Sequence, residues 1–284
     1  MSSLTPLFKW TGGKRREIKH FSPFYPDFVK NNEKYTFVEP FVGAGAVYWH
    51  LNNIDGKNII NDFDEDVANF YRQVALQPEE ALKKIEELSS LFFIKDVDNH
   101  AERELGYYTW RNMDRKGGLA NLSPEDRFAR FYIVNQLAFS GMRRFNASGE
   151  FNVPFGHYKN FNSALLRSPE HTALLKNTEI FTGDYKAVVD KNDNDNTFIF
   201  IDPPYTRVMK TYSADNEFGE DKQLELRDTL AGLKKAKWMV VIDKSELTSE
   251  LYKDYIVHTY GLSYGVNIKG RFDTAVEHIV ATNY

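Results

Sequence analysis

The sequence contains no cysteine. This absence excludes a disulfide framework, a thiolate nucleophile and a metal site with cysteine ligands. His157 and the other histidines are scattered without the spacing of ligand motifs, so we expect no metal.

Long apolar runs are also absent. A stretch such as WMVVI (238–242) is far shorter than the ~20 residues that a transmembrane helix needs. The first residues, MSSLTPLFKWTGGKRR, carry charges where a secretory signal would have its apolar segment. We therefore expect a cytoplasmic protein that does not engage a membrane.

The chain has no overall positive charge, because 36 Lys and Arg against 40 Asp and Glu give a net charge of −4. Basic residues are nevertheless concentrated in residues 1–20, with five basic and one acidic, and in residues 103–167, with ten and five. This distribution is compatible with a local site for a polyanion on an acidic protein. Solvated helix faces would give the same counts.

Two strand patterns frame a glycine turn in the first quarter of the chain. YTFVEPF (35–41) predicts a strand stopped by Pro40, and VGAGAVYWHL (42–51) predicts a tight turn into a helix. KNIIND (57–62) predicts a second strand, and EDVANFYRQVA (65–75) a helix after it. The strand–turn–helix–strand order is the sign of a parallel α/β sheet.

The pattern then changes. Helices are predicted from about 77 to 142, and RRFNASGEFNVPF (143–155) predicts a hairpin or projecting loop. Strands are expected again at 178–184, 197–202 and 238–243, followed by two closing strands, DYIVHTY and AVEHIVATNY. We therefore divide the chain into a first catalytic part (1–74), a helical, basic insertion (75–172) and a second catalytic part (173–284).

The glycine turn carries the features of a nucleoside site. Gly43 and Gly45 permit positive φ and a close approach of a ligand to the backbone, and Asp62 ends the next strand, where it can accept both ribose hydroxyls. The third glycine of the dinucleotide fingerprint is missing, which argues against NAD and suits a cofactor without a pyrophosphate, such as S-adenosylmethionine. The alternative for Asp62 is a cap of the helix that starts near Asp64.

A buried strand runs into Asp202-Pro203-Pro204-Tyr205. The amino group of adenine is a poor nucleophile because its lone pair is delocalised into the ring. The Asp202 carboxylate and the Pro203 carbonyl can accept its two N–H groups and free that lone pair, while Tyr205 offers a stacking face. The two prolines make the frame rigid, as a preorganised catalytic site requires. The alternative is that Asp-Pro-Pro-Tyr only terminates the strand and has no catalytic role.

Together these motifs resemble the Dam-type DNA adenine-N6 methyltransferases, the alpha group of the amino-methyltransferases. The resemblance covers nearly the whole chain and keeps the order of that group's motifs, which are FKWTGGKR (8–15), FVEPFVGAGAV (37–47), INDFDED (60–66), SGMRRFNASGEFNVPFGHYK (140–159) and IDPPY (201–205).

The resemblance implies a Rossmann-like, S-adenosylmethionine-dependent methyltransferase sheet with a mainly helical target-recognition insertion. Asp184 would lie near the cofactor adenine, although a helix cap explains it nearly as well. The cofactor-binding residues that follow from the motifs are Trp10, Lys14, Glu39, Phe41, Gly43, Gly45, Asp62, Asp184 and Asp202.

The expected partner is double-stranded DNA, from which the adenine must be extruded. The resemblance favours Arg144 for bidentate reading of a guanine edge, and Asn146 belongs to the same recognition scaffold. Contacts with phosphates are expected from Arg143, Lys159, Arg15 and Arg16. For any one arginine, a phosphate contact or a surface salt bridge remains an equal alternative to base reading.

Several alternatives remain open. Relatives that methylate GATC show NGLxRYN and FGRYK where this chain has SGMRRFN and FGHYK, so the target is GATC or a related site. A cytosine-N4 methyltransferase would use the same chemistry, although it usually carries Ser-Pro-Pro-Tyr. A non-catalytic, cofactor-dependent DNA-binding protein is a third interpretation. A monomer is expected, with or without a cognate restriction endonuclease.

Overall fold

A computed structural model describes residues 3–92, 99–205, 218–262 and 276–284. Seven strands form one sheet in the order β3-β2-β1-β4-β5-β7-β6. The strands are β1 (Thr36–Glu39), β2 (Lys57–Asp62), β3 (Thr178–Thr182), β4 (Thr197–Ile201), β5 (Lys237–Asp243), β6 (Ile256–Leu262) and β7 (Val276–Thr282).

The sheet is parallel except for β7, which runs antiparallel to β5 and β6. Every residue of β4, Thr197–Ile201, is buried, as expected for a strand covered on both faces. The predicted Rossmann-like α/β fold and each predicted strand are thus confirmed.

The strand order reverses between β1 and β4, and this reversal positions the site. From β1 the chain continues outward to β2 and β3, whereas β4 lies on the other side of β1 and leads to β5. A crevice forms beyond the carboxyl ends of the strands at such a point, and ligands bind there in α/β proteins. Glu39 ends β1, Asp62 ends β2 and Asp202 follows β4.

Helices cover the sheet and build the insertion. Residues 93–98 of the predicted helical stretch lie outside the described residues. The α-helices are α1 (Ile18–Phe21), α2 (Asp27–Lys30), α3 (Ala46–Leu51), α4 (Glu65–Leu76), α5 (Glu79–Phe92), α6 (His100–Arg111), α7 (Pro124–Leu137), α8 (Pro169–Lys176), α9 (Lys186–Asp190), α10 (Glu220–Gly232) and α11 (Glu246–Leu251).

The start of α7 follows from its sequence. The Ser123 hydroxyl accepts a hydrogen bond of 3.1 Å from the Asp126 amide, and Pro124 takes the first helical position. The helix then packs against α4, where Phe131 and Phe70 both meet the ring of Phe8 edge-on at 5.1 and 4.8 Å. This aromatic cluster joins the amino-terminal segment to the insertion. The proposed division of the chain into three parts, with boundaries at residues 74/75 and 172/173, stays a prediction.

The segment after α7 turns back on itself. Bridges between Ala138 and Phe155 and between Phe145 and Phe151 bring its two arms together, in agreement with the predicted hairpin. Within the four described ranges, no helix is both long and apolar enough to cross a bilayer.

Candidate active site

A cavity of about 470 Å³ lies at the carboxyl edge of β1 and β4. This volume falls within the ~300–1,000 Å³ typical of small-molecule sites. Residues assigned to the site from the sequence line it, namely Trp10, Lys14, Arg15, Glu39, Phe41, Gly45 and Asp202. Other lining residues were not assigned, including Lys9, Tyr132, Gln136 and Asn162.

The glycine turn needs both of its glycines for two reasons. Gly43 has a φ of +47° and Gly45 a φ of +67°, a region that other residues rarely adopt. A Cβ atom on Gly43 would lie 2.7 Å from Trp10 Nε1, and one on Gly45 would lie 2.9 Å from the Tyr71 hydroxyl. The turn therefore packs tightly against the tryptophan that lines the cavity.

Asp62 braces this turn. Its Oδ2 accepts the Gly43 amide and its Oδ1 accepts the Asp64 amide, both at 2.9 Å. Burial, and next the charge of Asp64, raises the pKa of Asp62 to about 6. The cap of α4 is Asp64, whose carboxylate accepts the Asp66 amide. Asp62 is thus not that helix's cap, and its contact with a ribose stays a prediction.

The carboxylate of Asp202 is held by a buried cation. Lys14, only 2% exposed, donates to Asp202 Oδ1 at 2.6 Å, to the Gly12 carbonyl at 3.2 Å and to the Tyr205 hydroxyl. Burial raises the pKa of Asp202 to about 6, although Lys14 opposes this rise. The sequence places Lys14 188 residues from Asp202, and the fold brings them together.

The Pro-Pro frame is fixed from α10. Gln223, fully buried, donates its side-chain amide to the Pro204 carbonyl at 3.0 Å. The residues after Tyr205, 206–217, lie outside the described residues. Neither Gln223 nor Pro204 lines the cavity, so this hydrogen bond holds the tetrapeptide without occupying the cavity.

Glu39 supplies a second carboxyl group to the cavity. It is buried, and its Oε2 accepts the Tyr48 amide at 3.0 Å. Burial, and next the charge of Asp202, raises the pKa of Glu39 well above its usual value. Binding of a cationic ligand would favour the ionised forms of both carboxyl groups, so this wall of the cavity suits a positive charge.

Two residues assigned to the cofactor site, Asp184 and Phe41, lie in different surroundings. Asp184 is exposed, and its carboxylate accepts the Lys186 amide at 2.8 Å in the turn before α9. Phe41 lines the cavity and also packs against Tyr185 and Phe218, with ring centroids 5.1 and 5.5 Å away. Asp184 is not among the residues that line the cavity.

The neighbouring arginines of the hairpin differ sharply. Arg143, 13% exposed, pairs with Asp64, whose Oδ2 accepts Nε at 2.7 Å, and its guanidinium lies 3.5 Å from Asp66. Arg144 is exposed and donates to the Asn152 side chain at 2.8 Å on the opposite arm. Arg143 therefore ties the hairpin to α4, while Arg144 stands at its surface.

The other residues assigned to DNA binding lie either within the hairpin turn or at the protein surface. Asn146 organises the turn, because its Oδ1 accepts the amides of Ser148 and Glu150 at 3.0 and 2.9 Å. Lys159, Arg15 and Arg16 are exposed. Their contacts with DNA stay predictions.

His157, which departs from the GATC-type pattern, has a partner in the structure. Its Nδ1 lies 2.8 Å from His100 Nε2 at the start of α6, and the two rings stack at 5.1 Å. Among the described residues, no group of three or more His, Asp or Glu side chains is arranged to hold a metal ion.

The side chains packed behind Tyr205 were not predicted from the sequence. His278 Nε2 lies 3.2 Å from the Tyr205 hydroxyl, and Glu17 accepts a hydrogen bond of 2.7 Å from Tyr260 in the same buried cluster. These residues come from the two ends of the chain, so no local spacing could link them.

Comparisons with known proteins agree with this site. The model of the D12 class N6 adenine-specific DNA methyltransferase family matches residues 10–265. A type II methyltransferase of Lactococcus lactis subsp. cremoris, M1.LlaDCHI, is 31% identical over 294 residues, covering 99% of this chain and 96% of the relative. The type II methyltransferase M.CviBI of Paramecium bursaria Chlorella virus NC1A is 30% identical over 287 residues, covering 99% and 100%. A DNA adenine methylase of Haemophilus influenzae is 31% identical over 256 residues, covering 87% and 82%.

The matched model spans most of the chain, and the relatives align with it over most of their own length. The fold, the Asp-Pro-Pro-Tyr strand end and these matches lead to one conclusion: the chain belongs to the D12 class N6 adenine-specific DNA methyltransferase family, as the motifs predicted.

Proposed function

We propose that this protein transfers a methyl group from S-adenosylmethionine to N6 of an adenine that is flipped out of duplex DNA. The observation that carries the proposal is the group of Lys14, Asp202 and Tyr205, in which the buried Lys14 and the partly buried Asp202 line the cavity and Lys14 also donates to the Tyr205 hydroxyl. The target is GATC or a related site, and the protein acts as a monomer because one site modifies one strand at a time.

The cavity fits the cofactor in two respects. Gly45 of the glycine turn lines the cavity and has no side chain to shield its backbone from a ligand. The carboxyl groups of Glu39 and Asp202 suit the positive charge of a sulfonium compound. Trp10 and Phe41 supply apolar contacts, and Asp62 at the end of β2 would hold the ribose.

The chemistry needs a nucleophilic amino group and an activated methyl group. S-adenosylmethionine, when bound, would supply an activated methyl group, and transfer of this group from sulfur to N6 would leave S-adenosylhomocysteine and a proton to be lost from N6. Asp202 and the Pro203 carbonyl accept the two N–H groups of adenine and direct its lone pair. The Asp202 carboxylate then lies where it can take the proton.

Lys14 prepares Asp202 for this task. It occupies Oδ1, which leaves Oδ2 for the amino group, and it keeps a carboxylate with a raised pKa ionised near neutral pH. The ring of Tyr205 lies beside the ammonium group, with Nζ 4.9 Å from the ring centroid, and offers a face to the base.

The test separates binding from transfer. We expect Asp202→Ala to lower kcat by about 1,000-fold, in the range found when a preorganised polar contact to the reacting group is removed. Duplex DNA binding, measured by fluorescence anisotropy, should be retained. Asp228→Ala, which removes an exposed carboxylate on α10, is the matched control and should leave both unchanged. Methyl transfer that persisted in Asp202→Ala would contradict the assignment.

A further inference from the structure

The hydroxyl of Tyr205 lies between two groups. On one side is the ammonium of Lys14, and on the other is His278 Nε2 at 3.2 Å, with the Tyr205 and His278 rings 5.6 Å apart. His278 is fully buried on β7, where its cross-strand neighbours are Asp243 on β5 and Tyr260 on β6.

The surroundings of His278 decide whether Nε2 or the Tyr205 hydroxyl donates the hydrogen bond between them. Burial, and to a lesser degree Lys14, lowers the pKa of His278 to about 4, so the ring is neutral near pH 7. The Glu17 carboxylate lies 3.9 Å from Nδ1 and favours the proton there, which leaves Nε2 as an acceptor. An ammonium group can only donate, so the Tyr205 oxygen accepts from Lys14 and gives its own proton to Nε2.

A second set of contacts holds the His278 ring in place. Tyr260 lies nearly parallel to it, with 5.5 Å between centroids and 19° between planes. The Tyr260 hydroxyl donates to Glu17 at 2.7 Å, and its ring stacks on His20 at 4.7 Å. The acceptor offered to Tyr205 is therefore fixed in direction as well as in position.

We infer that His278 is a positioning residue for methyl transfer, which holds the Tyr205 ring at the angle needed to stack on the target base. The inference rests on the catalytic role proposed for Tyr205 and extends it. Without Nε2, the hydroxyl keeps the bond from Lys14 but loses the hydrogen bond that it gives to His278. The ring then has a wider range of orientations, and fewer of them present a stacking face to the base.

A double-mutant cycle tests this coupling. We expect His278→Phe to lower kcat about tenfold, roughly the worth of one hydrogen bond, with the KM for S-adenosylmethionine within about twofold. His278→Gln places an amide oxygen near the position of Nε2 and should recover kcat to within about threefold. Tyr205→Phe should lower kcat by a similar factor, and adding His278→Phe to it should cause no further loss.

His50→Phe is the control, since it makes the same replacement on α3, where the imidazole Nδ1 lies 3.3 Å from the Ser3 hydroxyl and does not line the cavity. It should keep the wild-type kcat. His278→Leu serves as a second acceptor-deleting variant if the Phe variant does not fold. Equal losses with and without the Tyr205 hydroxyl, no recovery in His278→Gln, or an unchanged kcat in Tyr205→Phe would each overturn the inference. The proposed function would fail separately, through methyl transfer that survives Asp202→Ala.

Discussion

Charged side chains are used differently in the crevice and in the hairpin. In the crevice, Lys14 and Asp202 pair with each other at the wall of the cavity, so their ion pair faces the ligand site. In the hairpin, Arg143 pairs with Asp64 of the α4 cap, while its neighbour Arg144 remains exposed, and the phosphate contact expected of Arg143 stays a prediction. The ion pair lines the cavity in the first region and ties the hairpin to α4 in the second.

The insertion repeats this structural use of charge. Asp114 is buried between Arg115 and Arg130, at 3.2 and 2.8 Å, and also accepts the Phe151 amide of the hairpin. Arg115 also forms a salt bridge of 3.3 Å with the Glu150 carboxylate. Counts of basic residues in the insertion therefore overstate the number of cations that DNA can reach.

The largest effect should come from Arg143→Ala. Removing Arg143 leaves the partly buried Asp64 without its cation, whereas Asp66 keeps its bond to Arg127. The cost should therefore lie at the lower end of that of breaking a buried ion pair, at about 3 kcal/mol. We expect a loss of this size in the free energy of unfolding, measured by urea denaturation. Arg144→Ala, its neighbour, should change stability by less than about 0.5 kcal/mol. Equal stability of the two variants would break the comparison.

The next effect concerns Lys14→Met. Because Lys14 opposes the rise in the pKa of Asp202, its removal should move that pKa above 6 and lower kcat near pH 7 by about 100-fold. The wild-type kcat/KM should reach its plateau well above pH 6 and should fall as the pH drops through about 6, since the carboxylate is the active form. The variant's midpoint should lie higher. Lys19→Met, an exposed lysine on α1, is the control, and an unshifted midpoint in Lys14→Met would contradict the account.

Arg144→Ala should sharpen the comparison on the DNA side. If Arg144 reads a base edge, its loss should cost about 1–3 kcal/mol of discrimination and relax specificity at one position of the site. Methylation rates on duplexes that vary one base pair at a time would show this. A uniform loss on all sequences would instead indicate a phosphate contact.

The smallest effect is expected from Arg15→Ala and Arg16→Ala. An exposed arginine that contacts a phosphate should weaken binding equally on all sequences and reduce the slope of log K against log salt by about one. Binding at several salt concentrations measures this slope. Lys191→Ala, on the loop after α9, should leave it unchanged, and a constant slope in both arginine variants would place those residues away from the DNA.

Local sequence patterns were sufficient to predict the strands of the sheet and part of the candidate site. The apolar runs that end at Glu39, Asp62 and Asp202 predicted the strands, and the ends of parallel strands meet at one edge. The glycine turn followed from the residues themselves, since Gly43 and Gly45 have positive φ and no room for a Cβ atom.

Long-range pairing could not be predicted in this way. The partner of Arg143 is 79 residues away, and the aromatic and acidic cluster behind Tyr205 joins residues 17 and 260. Both depend on packing across the sheet rather than on spacing. Asp62 illustrates the limit, because the sequence left it as either a ribose ligand or a helix cap, and only the geometry showed that Asp64 is the cap of α4.

Product identity is the most direct test of the central claim. The protein and its Asp202→Ala variant would each be incubated with unmethylated duplex DNA and labelled S-adenosylmethionine, and the digested nucleosides identified by mass spectrometry. We expect labelled N6-methyladenine from the wild type and none from the variant. Labelled N4-methylcytosine from the wild type, or N6-methyladenine formed equally by the variant, would contradict the account.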